Sequence, residues 1–411
     1  MASGTNNHEL TPEENEILEQ IAQKGDPASR QLACLIIFWN QGLSLEEIST
    51  KAKIPLEEVQ GAVSHYKEKG TLIFPTTLVE EAVVALVSER ASEEKTKKQN
   101  SPGILTDDFM SEAGRKVLRF HFERMLEHEA GTRLGEDIEA LHDMRVATRR
   151  MRSAFRIFGP YFKRKRIKPF LKGLRRTGRA LGRVRDLDVS MQKADTYLKQ
   201  LSDDEKSALD PLLDRWRGRH ETLRADLLTH LDSKRYKEFV DQFNTFLSTK
   251  NDGARKVKLS KPNAYRVYQA VPILIYKRYG ILRGYDEILE KAELDTLHAL
   301  RIDVKRFRYL LEFVQEALGP TAKDVIQECV IVQDHLGELN DADIACRILV
   351  DFLEDWRKKR RRENTDISGV ADYLVWRQVE LRKLVDTFPA TWIRFLRSNI
   401  RHKLAVAVSE L

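Results

Sequence analysis

The chain has 411 residues, of which 42% are hydrophobic and 32% charged, and it contains 20 glycines and 12 prolines. This composition excludes an intrinsically disordered chain and disfavours a many-turned β fold, so it predicts a globular, helix-rich protein. Three widely separated cysteines form neither a zinc-binding pattern nor a disulfide framework, which predicts a cytoplasmic protein. The polar N-terminus is not expected to be a signal peptide, and no segment is apolar enough to predict a membrane span.

The formal net charge of +7 is unevenly distributed along the chain. Residues 1–100 contain 10 Lys and Arg and 16 Asp and Glu, a net charge of −6, which leaves +13 for the remaining residues. Only the second part of the chain is therefore suited to a polyanionic partner.

Residues 1–88 predict a small helical module that resembles a helix-turn-helix with a partial wing. Ser44 is expected to cap one helix and Gly70 to end the next, and TLIFP at 71–75 is predicted to form a short strand. The candidate recognition helix begins with two glutamates, so a protein partner or dimerisation is favoured over DNA. Residues 89–103 are polar and lack bulky apolar side chains, which predicts a linker.

From residue 104 to 411 the apolar spacing predicts an all-α domain without sustained strand alternation. The predicted helical stretches are 107–130, 136–159, 167–201, 204–231, 234–248, 263–290, 293–318, 321–356, 366–387 and 390–409.

An internal repeat divides this all-α region. LHDMRVATRRMRSAFRIFGP at 141–160 aligns with LHALRIDVKRFRYLLEFVQE at 297–316, an offset of 156. LGRVRDLDV at 181–189 aligns with LGELNDADI at 336–344, an offset of 155. The nearly equal offsets indicate a duplicated unit of about 150 residues. We therefore predict two pseudo-symmetric helical bundles, about 104–250 and 251–411, around a basic central groove.

The segment 145–185 contains 16 Lys and Arg and no Asp or Glu. Helix faces usually mix charges because like charges repel along the i, i+4 rows, so this segment is expected to need an external anion. At about 100° per residue the cations form helical stripes, separate from the apolar faces. The stripe residues are His142, Arg145, Arg149, Arg152 and Arg156, then Lys172, Arg175, Arg176, Arg179 and Arg183, and finally His298, Arg301, Lys305 and Arg308.

Arginine suits a phosphate ligand because its planar guanidinium donates two hydrogen bonds at once and stays charged. Two acidic residues, Asp186 and Asp341, recur in the repeats and are predicted to orient arginines from behind. The histidines His142 and His298 occupy matching places, which leaves open whether they contact the ligand or make a shared structural hydrogen bond.

The motif H-x-x-R-x-x-x-[RK]-R-x-R, present in both repeats and followed each time by L-G-x-x-x-D, resembles the CHAD domain, the conserved histidine α-helical domain. The resemblance covers roughly residues 107–395. It implies two bundles related by a pseudo-two-fold axis, a groove that binds inorganic polyphosphate, and association with polyphosphate granules. The matching positions are His142, Arg145, Arg149, Arg152, His298, Arg301, Lys305 and Arg308.

The second repeat loses several of these cations, so the first repeat is expected to carry most of the binding energy. Glu312 stands at the place of Arg156, and Val330, Asp334 and Glu338 stand at those of Arg175, Arg179 and Arg183.

Two other classes of function fit the same residues less well. A nucleic-acid-binding protein also meets regular phosphate charges, but the basic helices lack interleaved aromatics for stacking on bases. An enzyme is disfavoured because the sequence has no phosphate-binding loop, no zinc-protease motif and no acidic metal cluster within the basic segment. No cofactor, metal or membrane partner is expected.

Overall fold

The computed structural model describes residues 10–86, 101–257, 263–289, 292–359 and 367–411. These residues form helices and turns with two isolated β-bridges and no strand, so the predicted all-α class is confirmed. The chain divides into two compact units, residues 1–100 and 101–411. Most of the predicted linker, residues 89–100, lies outside the described residues.

The first unit is a small helical module around its own apolar core. Ser44 accepts a hydrogen bond from the Glu47 amide at 3.2 Å, and Glu47 accepts one from the Ser44 amide at 2.8 Å, which confirms Ser44 as an N-cap. Gly70 ends a helix at φ +58°, as expected. The helices are α1 (Pro12–Lys24), α2 (Pro27–Asn40), α3 (Leu45–Ala52), α4 (Leu56–Lys69) and α5, described from 76 to 86.

The predicted strand at 71–75 is wrong, because Gly70–Ile73 forms a 3-10 helix that leads into α5. The Phe74 amide donates locally to the Thr71 carbonyl at 3.1 Å. A strand needs a neighbouring strand to satisfy its backbone groups, and the described part of this module offers none. The helix-turn-helix identity of α3 and α4 stays a prediction.

In the second unit, the first helix of each half packs on the helix that carries the repeated arginine-rich motif. Its helices are α6 (Met110–Glu127), α7 (Glu129–Leu134), α8 (Ile138–Phe158), α9 (Arg164–Leu198), α10 (Asp203–Lys206), α11 (Asp210–Asp232), α12 (Lys234–Ser248), α13 (Val267–Arg283), α14 (Leu294–Val314), α15 (Ala322–Lys359), α16 (Ser368–Arg397) and α17 (Ile400–Val408).

The order of packing in the second half follows that in the first. Helix α8 packs on α6 and α9, and α9 on α11, while α14 packs on α13 and α15, and α15 on α16. Helices α8 and α14 also pack on each other, and this contact joins the halves. Whether a pseudo-two-fold axis relates the halves stays a prediction.

One apolar core runs through both halves and fixes which faces of α8 and α9 remain accessible. Met144, Met151 and Phe155 are buried in it, as the spacing on α8 predicts, and so are Leu174 and Leu181 on α9. Burial of these side chains drives the packing of both helices. The cationic stripes are therefore left outside the core.

The prediction of separate helices at 366–387 and 390–409 is wrong, because α16 continues through Pro389. Proline cannot donate to the carbonyl of Val385, four residues earlier. His335 of α15 lies beside this turn, with Nε2 2.8 Å from the Leu384 carbonyl oxygen. The helix instead ends before Asn399, which has φ +58°. None of the helices in the described ranges is long and apolar enough to cross a membrane.

Candidate anion-binding site

Helix α8 presents its predicted stripe on the face opposite the core. Arg145, Arg149 and Arg152 are half-buried, and Arg156 is exposed. Burial lowers the pKa of Arg152, and repulsion from Arg156 and from two arginines of α9 lowers it further. The Nε atom of Arg149 is buried without a hydrogen-bond partner in the described structure. A buried donor of this kind is costly unless an acceptor reaches it.

Helix α14 brings the second-half stripe against the first. Burial lowers the pKa of Arg301, partly offset by the carboxylate of Asp341, and Arg149 then lowers it again from across the α8–α14 contact. Burial also lowers the pKa of Lys305 to about 8, with repulsion from Arg301 and Arg149 adding to the effect. The Nε atom of Arg301 is another buried donor for which the described residues supply no acceptor.

Helix α9 contributes further cations, and two of its glycines leave room for arginines of α8. The pKa of Arg152 is lowered by Arg175 and Arg179, so these α9 side chains lie close to α8. A Cβ atom added at Gly178 would lie 3.6 Å from Arg152 Nη1, and one at Gly182 would lie 3.6 Å from a nitrogen of an α8 arginine. The glycines thus let guanidinium groups of α8 lie against the α9 backbone.

These three helices together concentrate cations at one place. We call this set of eight residues the central cationic cluster, and it consists of Arg145, Arg149, Arg152, Arg156, Arg175, Arg179, Arg301 and Lys305.

Several predicted stripe residues are placed apart from this cluster. Arg308 is largely buried, with Nε 3.4 Å from Glu312, so a carboxylate that it shares with Arg150 partly offsets its charge. Arg183 is turned to α11, with Nη1 3.6 Å from Asp226. Arg176 lies toward α11 and α12, while Lys172 is exposed on α9.

The 16 cations of segment 145–185 are only partly compensated by the protein. Five of them have a carboxylate oxygen within 4.0 Å, so the rest of the chain supplies part of the negative charge that the segment itself lacks. For the other eleven, the described ranges contain no such partner. The five pairs are Arg145–Asp186, Arg150–Glu312, Arg166–Asp252, Arg183–Asp226 and Arg185–Glu139.

The two aspartates behave in related ways. Asp186 accepts a hydrogen bond from Arg145 Nη2 at 2.8 Å, as expected for an orienting residue. The carboxylate of Asp341 raises the pKa of Arg301, which is the matching arginine of the other half.

The two histidines lie at matching positions but in different surroundings. Burial lowers the pKa of His142, and Arg185 is the main charge that lowers it further. His298 is exposed, and its Nδ1 lies 2.8 Å from Asn340 Oδ1, at the position that matches Arg185. A cavity of about 340 Å³ adjoins His298, but Asp343 also lines it. His298 is therefore less suited than His142 to a polyanion.

Arg306 adjoins the central cationic cluster and is absent from the predicted stripes. It lowers the pKa of both Arg156 and Lys305. It lies five residues after Arg301, about 140° around the helix, which places it off the stripe on a helical wheel. Its counterpart in the repeat is Arg150, and this equivalence is the sequence signal that could have found it.

The chain is therefore an all-α protein whose central cationic cluster lies on three helices, α8, α9 and α14. The sequence profile of the CHAD domain matches residues 116–350, and the chain belongs to this family. The family is associated with polyphosphate binding, and its members are not in general catalytic enzymes.

Solved structures share the fold. The CHAD domain from the plant Ricinus communis is 21% identical, with a TM-score of 0.56 over 70% of this chain and 93% of that one. PptA from Streptomyces chartreusis is 13% identical, with a TM-score of 0.53 over 69% and 99%. Two uncharacterized proteins of Mycobacterium tuberculosis, from strains CDC 1551 and H37Rv, are 27% identical over 223 residues, which cover 52% of this chain. The match spans 40% of the length of these relatives.

Proposed function

We propose that this protein binds inorganic polyphosphate at the central cationic cluster and does no chemistry on it. The proposal rests on the buried Nε donors of Arg149 and Arg301, which lie on the two helices that join the halves. An anion between α8 and α14 would accept from both and relieve the repulsion between the two guanidinium groups. Membership of the CHAD family supports the choice of polyphosphate.

The donor set of the cluster favours binding over catalysis. Phosphoryl transfer generally uses a divalent metal held by carboxylates. In the described part of the chain, no group of three or more His, Cys, Asp or Glu residues is placed to hold a metal ion. Cations that neutralise phosphate oxygens can retain a long chain without cleaving it. We further propose that binding of this kind places the protein at cytoplasmic polyphosphate granules.

Calorimetric titration with long-chain polyphosphate, set against RNA of equal charge, tests the proposal. Wild-type protein should bind polyphosphate more tightly, and polyphosphate should displace RNA, whereas RNA should not displace polyphosphate. Replacing Arg145, Arg149 and Arg152 together with alanine should abolish binding while circular dichroism shows unchanged helicity. Tight RNA binding that polyphosphate cannot displace would instead establish a nucleic-acid-binding protein.

A matched control separates this site from a general effect of charge. Arg219, Arg397 and Arg401 are exposed and lie outside the central cationic cluster. Their triple replacement by alanine removes the same charge and should leave most of the affinity. Equal losses in the two triple variants would show that net charge, and not this cluster, holds the ligand.

A further inference from the structure

The side of α9 that faces away from α8 carries a second group of cations. Arg176 lies there, and its Nε atom is buried with no hydrogen-bond partner in the described ranges. Burial lowers the pKa of Arg176, and Arg235 of α12 and then Arg179 lower it further. Arg176 therefore lies near Arg235, which belongs neither to the predicted stripes nor to the central cationic cluster.

His230 of α11 completes this group. It is half-buried, and its Nε2 atom lies 3.1 Å from the Oγ1 atom of Thr177, the residue that follows Arg176 on α9. Burial, Arg176 and Arg235 all lower the pKa of His230. Arg235 is exposed in the first turn of α12, which begins after the N-cap Ser233. The positive end of that helix dipole adds to the same potential.

Nearby carboxylates already pair with other cations. Asp226 lies 3.6 Å from Arg183, and Asp232 lies 2.6 Å from Arg133. The pKa of His230 is lowered by burial and cations, with no carboxylate opposing them. Three basic side chains from three helices thus converge without an acidic partner in the described structure.

We propose that Arg176, His230 and Arg235 form a second phosphate subsite, which a polyphosphate chain reaches by crossing α9 from the central cationic cluster. This inference rests on the proposed function. Arg179 connects the two places, because it repels Arg152 on one side of α9 and Arg176 on the other. The bound chain therefore follows a continuous band of cations and is not confined to the contact between the halves.

Chain length gives this route a measurable signature. A helix with its side chains is about 10 Å across, so tripolyphosphate bound in the central cationic cluster is too short to reach the second subsite. A long chain occupies both places at once. The second subsite therefore contributes to the affinity for long chains and leaves that for tripolyphosphate unchanged.

Calorimetric titration of the double variant Arg176→Ala/Arg235→Ala with each probe tests the route. Affinity for long-chain polyphosphate should fall about ten-fold or more, because charge-assisted hydrogen bonds are lost. The dependence of log K on log salt should become shallower by about 1.4, or about 0.7 for each cation removed. Tripolyphosphate affinity should not change. The matched control is Lys199→Ala/Lys237→Ala, which removes two exposed cations from the end of α9 and from α12.

Each outcome decides between the inference and the function on which it rests. Equal long-chain affinities for the double variant and its control would overturn the second subsite while leaving the central site intact. An equal loss of tripolyphosphate affinity would also overturn it, because Arg176 and Arg235 would then belong to the central site. Failure of wild-type protein to bind either probe would reject the proposed function together with the subsite.

Discussion

Arg150 Nη1 lies 3.1 Å from Glu312 Oε2, and this ion pair joins α8 of the first half to α14 of the second. At the repeat offset of 156, Arg306 corresponds to Arg150 and Glu312 corresponds to Arg156. At the corresponding place Arg306 and Arg156 repel each other, and Arg306 also pairs with Asp303 at 2.9 Å. These corresponding positions thus hold an ion pair between α8 and α14 in one place and two mutually repelling cations in the other.

The Arg150–Glu312 pair should stabilise the contact between the halves. Glu312 is 14% exposed and also lies 3.4 Å from Arg308, so Glu312→Gln leaves two poorly solvated guanidinium groups without compensation. We expect the free energy of unfolding, measured in urea, to fall by about 3 kcal/mol.

Glu328→Gln provides the control for this substitution. Glu328 pairs at 3.3 Å with Arg394, whose side chain is 59% exposed, and loss of such a pair should cost less than about 1 kcal/mol. Similar losses in both variants would mean that the ion pair of Glu312 contributes no more than an exposed one.

A charge reversal at Arg156, the position that corresponds to Glu312, should raise stability and lower polyphosphate affinity. Arg156→Glu places a carboxylate near Arg306, in the same way that Glu312 lies near Arg150. Because Arg156 is exposed, the gain in unfolding free energy should be about 0.5–1 kcal/mol. Polyphosphate affinity should fall, since the variant loses a cation and gains an anion. Increased stability with undiminished polyphosphate affinity would remove Arg156 from the binding site.

The repeat and the charge pattern predicted the class of fold and the faces of α8 and α9, because helical periodicity fixes which side chains share a side. The same periodicity could not show which neighbour each cation meets. Arg176 and Arg179 are three residues apart in one predicted stripe, yet Arg176 lies toward α11 and α12 while Arg179 is close to both α8 and Arg176. Such differences depend on how helices distant in the sequence pack around α9.

Local residue preferences gave the wrong secondary structure at two other places. Pro389 favours a helix end, but α16 continues through it, with His335 of α15 in contact with the Leu384 carbonyl at that turn. The β-branched and aromatic residues of TLIFP favour a strand, but a strand depends on a partner strand, and residues 10–86 of this unit supply none. Tertiary context decided both cases.

The two halves should contribute unequally to binding. The second-half stripe ends at Arg308, whose charge Glu312 partly offsets, whereas cations of α9 lie close to those of α8. Arg149→Ala/Arg152→Ala should therefore lower polyphosphate affinity more than Arg301→Ala/Lys305→Ala, although each double variant removes two cations. Calorimetry at one salt concentration makes the comparison, and a larger loss from the second variant would reverse the assignment.

Binding should weaken above about pH 8 because of Lys305. Burial, followed by repulsion from its neighbours, lowers the pKa of Lys305 to about 8 in the free protein, and a bound polyanion raises that pKa again. The neighbouring cations are Arg301, Arg149, Arg156 and Arg306.

The direction of the pH effect follows from proton uptake. Below pH 8 Lys305 is protonated with and without ligand, so its titration does not affect affinity. Above pH 8 the free protein has lost that proton and must take it up on binding, so affinity falls by up to about ten-fold per pH unit until the pKa of the complex is reached. Titrations of wild-type protein and Lys305→Arg between pH 7 and 9.5 measure this difference, because arginine stays charged throughout. Any titration of the ligand affects both proteins equally, and identical pH profiles would show that Lys305 does not meet the polyphosphate chain.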